Sequence, residues 1–180
     1  MTSPTVPPLL DDEQFAHLVA GTGLEALRLA AIVREVRDYC GWHIAPAIAE
    51  TITVDGSGGT VQQLPTLRIN SVTSVTEQGV VLEADAYEWS HDGSLRRRRY
   101  SYWTDRYRGV VAVVNHGYET VPENIVSVIL DAASAALATP PGADEQPETM
   151  GPFSFGSSGG VVLKAAHQRV LDRYRIPGRA

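Results

Sequence analysis

Apolar residues recur at two different spacings along this chain, and the change of spacing divides it into helical and extended parts. Between Thr22 and Gly41 the apolar positions lie three and four residues apart, which predicts one buried stripe on a helix. The sequence Thr22-Gly23-Leu24-Glu25 is typical of a helix start, and Gly41 indicates the end. The predicted stripe consists of Leu29, Ile32, Val33, Val36 and Cys40.

Three further helices are predicted. A short one runs from Asp11, which can cap it, to Ala20. Helical spacing returns at Pro122, which suits a first helical position because a proline has no N–H to leave unpaired there. The last helix is predicted over about residues 162–174. Its aligned apolar positions are Leu163, Ala166, Val170, Leu171 and Tyr174.

From about Ala47 the apolar period changes to two, which is typical of half-buried strands. The first two strands, at 51–54 and 60–64, flank a Gly/Ser-rich turn, so we expect them to pair as a hairpin. Gln78-Gly79 and His91-Asp92-Gly93 mark later turns. The other strands are predicted at 71–76, 80–82, 87–90, 94–98 and 110–115.

This order of elements predicts an α+β fold, in which N- and C-terminal helices form a small bundle and an antiparallel, barrel-like β-sheet is inserted between them. The predicted segments are a flexible arm at 1–10, a helical scaffold at 11–46 and 119–139, the inserted β region at 47–118, a linker at 140–160, and a C-terminal helix and tail at 161–180.

Composition narrows the class of protein. The chain has 180 residues, of which 43% are hydrophobic and 20% charged, so it can form one domain with a sizeable core. No apolar stretch approaches the ~20 residues that a bilayer span needs, and we expect no membrane association and no signal peptide. The single cysteine, Cys40, excludes an internal disulfide and a multi-cysteine metal site. These features fit a protein made in a reducing cytoplasm.

Charge is distributed unevenly. The formal net charge of −6 argues against a general nucleic-acid binder. Arg96, Arg97, Arg98 and Arg99 form an arginine run, whose members would alternate between the two faces of a strand. Together with Trp103, the run is expected to contact another subunit or a neighbouring protein, or to protect a strand edge. Binding of single-stranded nucleic acid and a position in the bore of a DNA-carrying ring are the alternatives.

Some residues resemble catalytic groups but have simpler explanations. Cys40 and His43 have a spacing that could suit a thiol–imidazole pair, yet Cys40 falls on the apolar stripe, where a free cysteine is commonly a packing residue. His116 could act as a base, but the sequence signals no carboxylate partner, and the adjacent Gly117 indicates a structural corner. We therefore predict a non-enzymatic protein with no catalytic residue, no metal and no cofactor.

Several short segments follow one another in a specific order and spacing, although each alone is only turn or helix-start chemistry. The segments are Tyr39–Pro46, Ile52–Gly59, Leu64–Val75, Tyr87–Ser90, Gly93–Arg96, Val113–Tyr118, Val121–Ile125 and Leu171–Pro177. With them the chain resembles the head-to-tail adaptor (connector) proteins of long-tailed, non-contractile bacteriophages of actinobacteria, over about residues 23–177.

The resemblance implies a structural virion protein, synthesised in the bacterial cytoplasm, that forms a ring of about twelve subunits in the neck. Such a ring lies between the portal and the stopper or head-completion protein, and genomic DNA passes through it without sequence-specific binding. The family has no catalytic residues. The C-terminal segment commonly engages the portal, which here implies contacts by Arg169, Arg173, Tyr174, Arg175, Ile176 and Pro177.

Two other functions remain open at this point. The first is another ring component of the neck or tail, such as a stopper, a head-completion protein or a tail-completion protein. The second, more remote, is a nucleic-acid-binding module that uses the arginine run.

Overall fold

The computed structural model describes Leu9 and residues 23–98, 101–138, 149–150, 153–154 and 163–177. It confirms the predicted α+β class, and the chain divides into two compact units. The described part of the first, the β unit, is Leu9 with residues 40–98, 101–121 and 174–177. The described part of the second, the helical unit, is residues 23–39, 122–138, 149–150, 153–154 and 163–173.

The helices lie where the apolar spacing predicts them. Helix α1 spans Gly23–Cys40, α2 spans Glu123–Ala138, and α3 spans Ala165–Leu171 with a 3-10 turn at Asp172–Tyr174. All five positions of the predicted α1 stripe are buried, because offsets of three and four place them on one helix face. Within the helical unit, α2 contacts α3. The predicted helix at 11–20, the capping residue Thr22 and the linker at 140–148 lie outside the described residues.

The buried face of α3 differs from the prediction. Ala166 is exposed, whereas His167 and Leu171, one helical turn apart, are buried. A polar histidine on the inner face breaks the apolar pattern, and the spacing rule therefore selected the neighbouring alanine.

The β unit contains two antiparallel sheets. Sheet A has the order β1-β7-β3-β4, and sheet B has the order β2-β6-β5. The strands are β1 (Ile48–Val54), β2 (Val61–Gln63), β3 (Ile69–Glu77), β4 (Val80–Val81), β5 (Tyr87–Trp89), β6 (Ser94–Arg97) and β7 (Val110–His116). A further two-stranded pair, β8 (Thr149–Met150) with β9 (Phe153–Ser154), belongs to the helical unit.

One core joins the two sheets. Strand β7 alternates strictly between buried and half-buried residues, as a period of two requires. The buried side chains that form the core come from both sheets and from the segments that follow β2 and β6. They are Ile52, Leu64, Ile69, Val75, Tyr87, Leu95, Trp103, Val110, Ala112 and Val114.

The predicted hairpin between the first two strands is wrong. Strand β1 pairs with β7 over Ile48–Val54, and β2 pairs with β6 in the other sheet. The glycine-rich segment 55–60 therefore connects the two sheets and does not turn back within one of them. Alternation identifies a strand and its buried face but not its partner.

The turn predicted at Gln78-Gly79 is confirmed. Both residues have positive φ, 49° and 82°, as a two-residue turn of type I′ requires. The turn joins β3 to β4, in the register Glu77↔Val80. Because β4 is the last strand of sheet A, this hairpin forms one edge of the sheet.

Candidate assembly site

The arginine run alternates between the core and the surface. Arg97 points inward and forms an ion pair with Glu77, 2.8 Å from Nη2 to Oε2, with side chains 15% and 11% exposed. Arg96 is exposed. Arg98 pairs at 3.4 Å with Glu88 at the surface, where the two side chains are about half exposed (49% and 54%).

Trp103 also belongs to the core of the β unit. Its side chain is buried, its Nε1–H donates to the backbone oxygen of Leu95 at 3.3 Å, and the Arg97 guanidinium lies 5.2 Å from its ring centroid. The side chains of Arg97 and Trp103 thus make their contacts within their own chain, and their predicted contact with another subunit stays a prediction. Arg96 and Arg98 are exposed, Arg98 in its surface pair with Glu88, and Arg99 lies outside the described residues.

The loop between β6 and β7, of which residues 98 and 101–109 are described, is hydrogen-bonded to two other segments. Toward the β3–β4 hairpin, Thr104 donates its N–H to Oε1 of Glu77 at 2.6 Å, and its hydroxyl accepts from the side-chain amide of Gln78 at 2.7 Å. Three backbone hydrogen bonds join the loop to the segment 55–60 that connects the sheets, namely Trp103 N–H to Gly59 O, Gly58 N–H to Thr104 O, and Gly56 N–H to Arg106 O.

Within this loop, Arg106, Tyr107 and Arg108 form an exposed turn, called the Arg-Tyr-Arg turn below. Gly109 closes it by donating its N–H to the Arg106 oxygen at 3.1 Å. Arg108 has φ of 53°, which is uncommon for a residue other than glycine, and its N–H donates to Oδ1 of Asp55 at 2.7 Å. Tyr107 is 89% exposed. Since its backbone is fixed by hydrogen bonds, the turn has little backbone ordering left to lose on binding.

A second exposed surface lies at the edge formed by β4. Val80 and Val81 are 66% and 64% exposed, and the acidic residues Glu83 and Asp85, both exposed, follow directly. No described strand pairs with the outer side of β4. We call Val80, Val81, Glu83 and Asp85 the acidic edge.

The residues of the predicted portal contact fall into two groups. In the helical unit, Arg169 and Arg173 are exposed. In the β unit, Ile176 is buried and donates its N–H to the Cys40 oxygen at 3.0 Å. Arg175 and Tyr174 are half-buried, and Pro177 is exposed.

The last described residues are thus fastened to the β unit of their own chain. Trp42 donates its Nε1–H to the backbone oxygen of Tyr174 at 2.7 Å, and the Tyr174 ring lies 6.0 Å from that of Tyr118. The side chain of Ile176 is therefore not available as an apolar anchor for a partner in this conformation.

His116 has the carboxylate partner that the sequence did not signal. Its Nε2 lies 3.0 Å from Oε2 of Glu50, on the neighbouring strand β1. Because a carboxylate only accepts, neutral His116 carries its proton on Nε2. Its buried Nδ1 then has no partner among the described residues. Burial lowers the pKa of His116 below the usual histidine value, and the hydrogen bond and charge of Glu50 oppose this shift.

The corner predicted at Gly117 is confirmed, with φ of 105°. A Cβ at this position would lie 2.5 Å from Nε2 of His43, so the ring occupies the space that a side chain would need. The His43 ring contacts His116 edge to face at 4.4 Å, and its Nε2 lies 3.0 Å from the Pro46 oxygen. The two histidines thus hold a backbone corner together, which is a structural arrangement.

We predict that folding stability decreases as the pH falls below the ordinary histidine pKa of about 6.5. Because burial lowers the pKa of His116 in the fold, the unfolded chain binds more protons than the folded chain in this range, and acidification favours unfolding. Urea unfolding at pH 7.5 and pH 5.5 measures the effect. His116→Gln, which retains an N–H for Glu50, should lose stability less steeply on acidification. Equal pH dependence in both proteins would contradict the prediction.

The remaining chemical candidates give no further site. Cys40 is buried and lies on the α1 stripe, as a packing residue does. Within the described ranges, no group of three or more His, Cys, Asp or Glu residues is arranged to hold a metal ion. The helices described are all too short or too polar to cross a membrane.

Comparisons with known proteins find similarity in structure but not in sequence. At the level of sequence, no family profile and no curated protein matches this chain. Among solved structures, it is similar to a chain in the neck of the native gene transfer agent (GTA) particle, computed with C12 symmetry, with a TM-score of 0.59 and 15% identity over 99% of this chain and 97% of that one. A chain in the neck of the empty particle, computed with C6 symmetry, gives a TM-score of 0.57 and 17% identity over the same shares. At these identities the likeness shows a shared fold.

Proposed function

We propose that this protein is a head-to-tail adaptor, a structural component of a phage-like particle that forms a ring in the neck. The ring would lie between the portal and the stopper or head-completion protein and would extend the channel through which the genome passes. Catalysis has no part in this function, and neither has sequence-specific DNA binding.

The observation that carries the proposal is the extent of the structural likeness. It takes in both compact units, since 99% of this chain aligns with 97% of a chain from a GTA neck. A match confined to one sheet or one helical pair would carry little functional weight, because small motifs recur in unrelated proteins. The symmetry of those particles, C12 and C6, supports a closed ring and is compatible with twelve copies.

The exposed arginines support the finer assignments. Arg169 and Arg173 lie exposed near the C-terminus, where we propose that they contact carboxylates of the portal. Arg96 and Arg98 are exposed on or beside β6, and we propose that they contact a neighbouring subunit or neck protein. At both surfaces, exposed arginine side chains stand on folded segments, where they can attract acidic groups of a partner during assembly.

Cryo-electron microscopy of the particle neck tests the proposal and separates it from its nearest alternative. We expect this chain to form a ring directly beneath the portal, with Arg169 and Arg173 on the portal side. A ring found below that position would identify a stopper or tail-completion protein. If the chain were missing from the neck altogether, the proposed function would be wrong.

A further inference from the structure

Sheet A displays two different exposed surfaces, one at the end where β7 begins and one along the edge formed by β4. The Arg-Tyr-Arg turn lies beside the end of β1, because Arg106 accepts from Gly56 N–H and Arg108 donates to Asp55, both just after that strand. The acidic edge lies on and after β4. The turn leads into β7, and the Gly109 oxygen accepts from Gln78 N–H at 2.8 Å, so the turn also lies next to the β3–β4 turn, at an end of the sheet and not along its edge.

The two surfaces are complementary in chemistry. The turn offers one almost fully exposed aromatic ring, Tyr107, between two guanidinium groups, and tyrosine and arginine are the residue types that contribute most to protein interfaces. The acidic edge offers two exposed valines, on which a ring can pack, followed by carboxylates that can accept from arginine in bidentate geometry.

Nearby acids do not remove this complementarity. Asp55 is engaged with the backbone of Arg108, and Asp105, an exposed acid, directly precedes the turn. The recognition therefore depends on the two guanidinium groups as directed donors and does not need a net positive field.

We propose that the Arg-Tyr-Arg turn of one copy of this chain docks on the acidic edge of the next copy. This inference rests on the proposed ring, in which every contact joins two different surfaces of the same chain. Tyr107 packs against Val80 and Val81, and the arginines pair with Glu83 and Asp85. Each contact is small and weak by itself. A closed ring repeats the contact at every boundary between subunits, and this repetition makes the assembly strong.

A charge exchange tests this pairing. Arg106→Glu/Arg108→Glu places like charges at the contact, and so does Glu83→Arg/Asp85→Arg, so each variant alone should lower the yield of particles at least tenfold. In a mixture of the two variants, the reversed turn meets the reversed edge, and the unchanged turn meets the unchanged edge. Equal amounts should therefore restore particles whose rings alternate between the variants, which native mass spectrometry of isolated necks would show as a 1:1 ratio.

Controls keep folding and assembly apart. The thermal midpoint of each variant, measured beside that of the parent chain, shows whether the variant is folded, and the Arg106/Arg108 variant, which changes only exposed side chains of the turn, should keep the parent midpoint. Tyr107→Ala should lower particle yield without lowering the midpoint, whereas Arg34→Glu, a charge reversal on an exposed face of α1, should leave both unchanged. Normal yield from the charge variants, or no recovery in the mixture, would overturn the pairing alone. Failure of the parent chain to enter the neck would overturn the ring itself.

Discussion

Glu77→Ala should destabilise the protein by about 3 kcal/mol, the magnitude expected when one partner of a largely buried ion pair is removed. The Glu77 carboxylate has two tasks. One oxygen pairs with Arg97 at 2.8 Å, and the other accepts the N–H of Thr104 at 2.6 Å. Without it, the Arg97 charge stays beside the Trp103 ring, while the Thr104 N–H loses its partner. Urea unfolding at neutral pH measures the loss.

The arginine run supplies a matched control for this prediction. Arg98 and Glu88 form a second Arg–Glu pair, but at 3.4 Å and about half exposed. Solvent screens such a pair, so Glu88→Ala should cost less than about 1 kcal/mol. Equal losses for the two glutamates would show that burial does not govern the Glu77 pair. In the variant lacking both Glu77 and Arg97, the loss should be smaller than the sum of the two single losses, because no unpaired buried charge remains.

Glu77 also connects stability with assembly. The carboxylate that neutralises Arg97 is the one that fixes Thr104, two residues before the Arg-Tyr-Arg turn. A chain that folds despite Glu77→Ala should therefore present a looser turn. Particle yield would then fall more than the loss of stability alone explains, in contrast to the Glu88→Ala variant.

Predictions about a single helix or strand and predictions about which strands pair need different information. The α1 stripe and the alternation in β7 depend on neighbours within one element, and both are confirmed. The hairpin depended on choosing a partner for β1, and that partner, β7, lies about sixty residues further along the chain. An alternating pattern does not identify the strand that pairs with β1, because every strand that packs on the same core has the same pattern.

The arginine run shows the same limit for side chains. Alternation from Leu95, the buried apolar residue directly before the run, places Arg97 on the inward face, but it does not tell what the charge meets there. Glu77, which pairs with Arg97 inside, is on a different strand. His116 and Glu50 likewise meet only because β7 pairs with β1. The acidic edge became visible only with the strand order, since Val80 and Val81 look like core residues when only their sequence is known.

Gly93→Ala should cost about 3 kcal/mol, more than a change of conformation alone explains. Gly93 has φ of 93°, in the region that side chains disfavour by about 1–2 kcal/mol. A Cβ there would also lie 2.1 Å from the backbone oxygen of Thr66, a buried residue that cannot move aside without disturbing its surroundings. The hydrogen bond from Leu64 N–H to Gly93 O, at 2.9 Å, holds the two segments together.

Gly79→Ala separates the two contributions. Gly79 has a similar φ, 82°, but a Cβ there would meet no atom within 4 Å. Gly79→Ala should therefore lower the free energy of unfolding only by the conformational cost, about 1 kcal/mol. Urea unfolding of both variants at one pH gives the difference, which reports the clash at Thr66. A difference near zero would mean that the segment around Thr66 yields easily, and sheet B would then be less firmly held at that turn than its close backbone contact indicates.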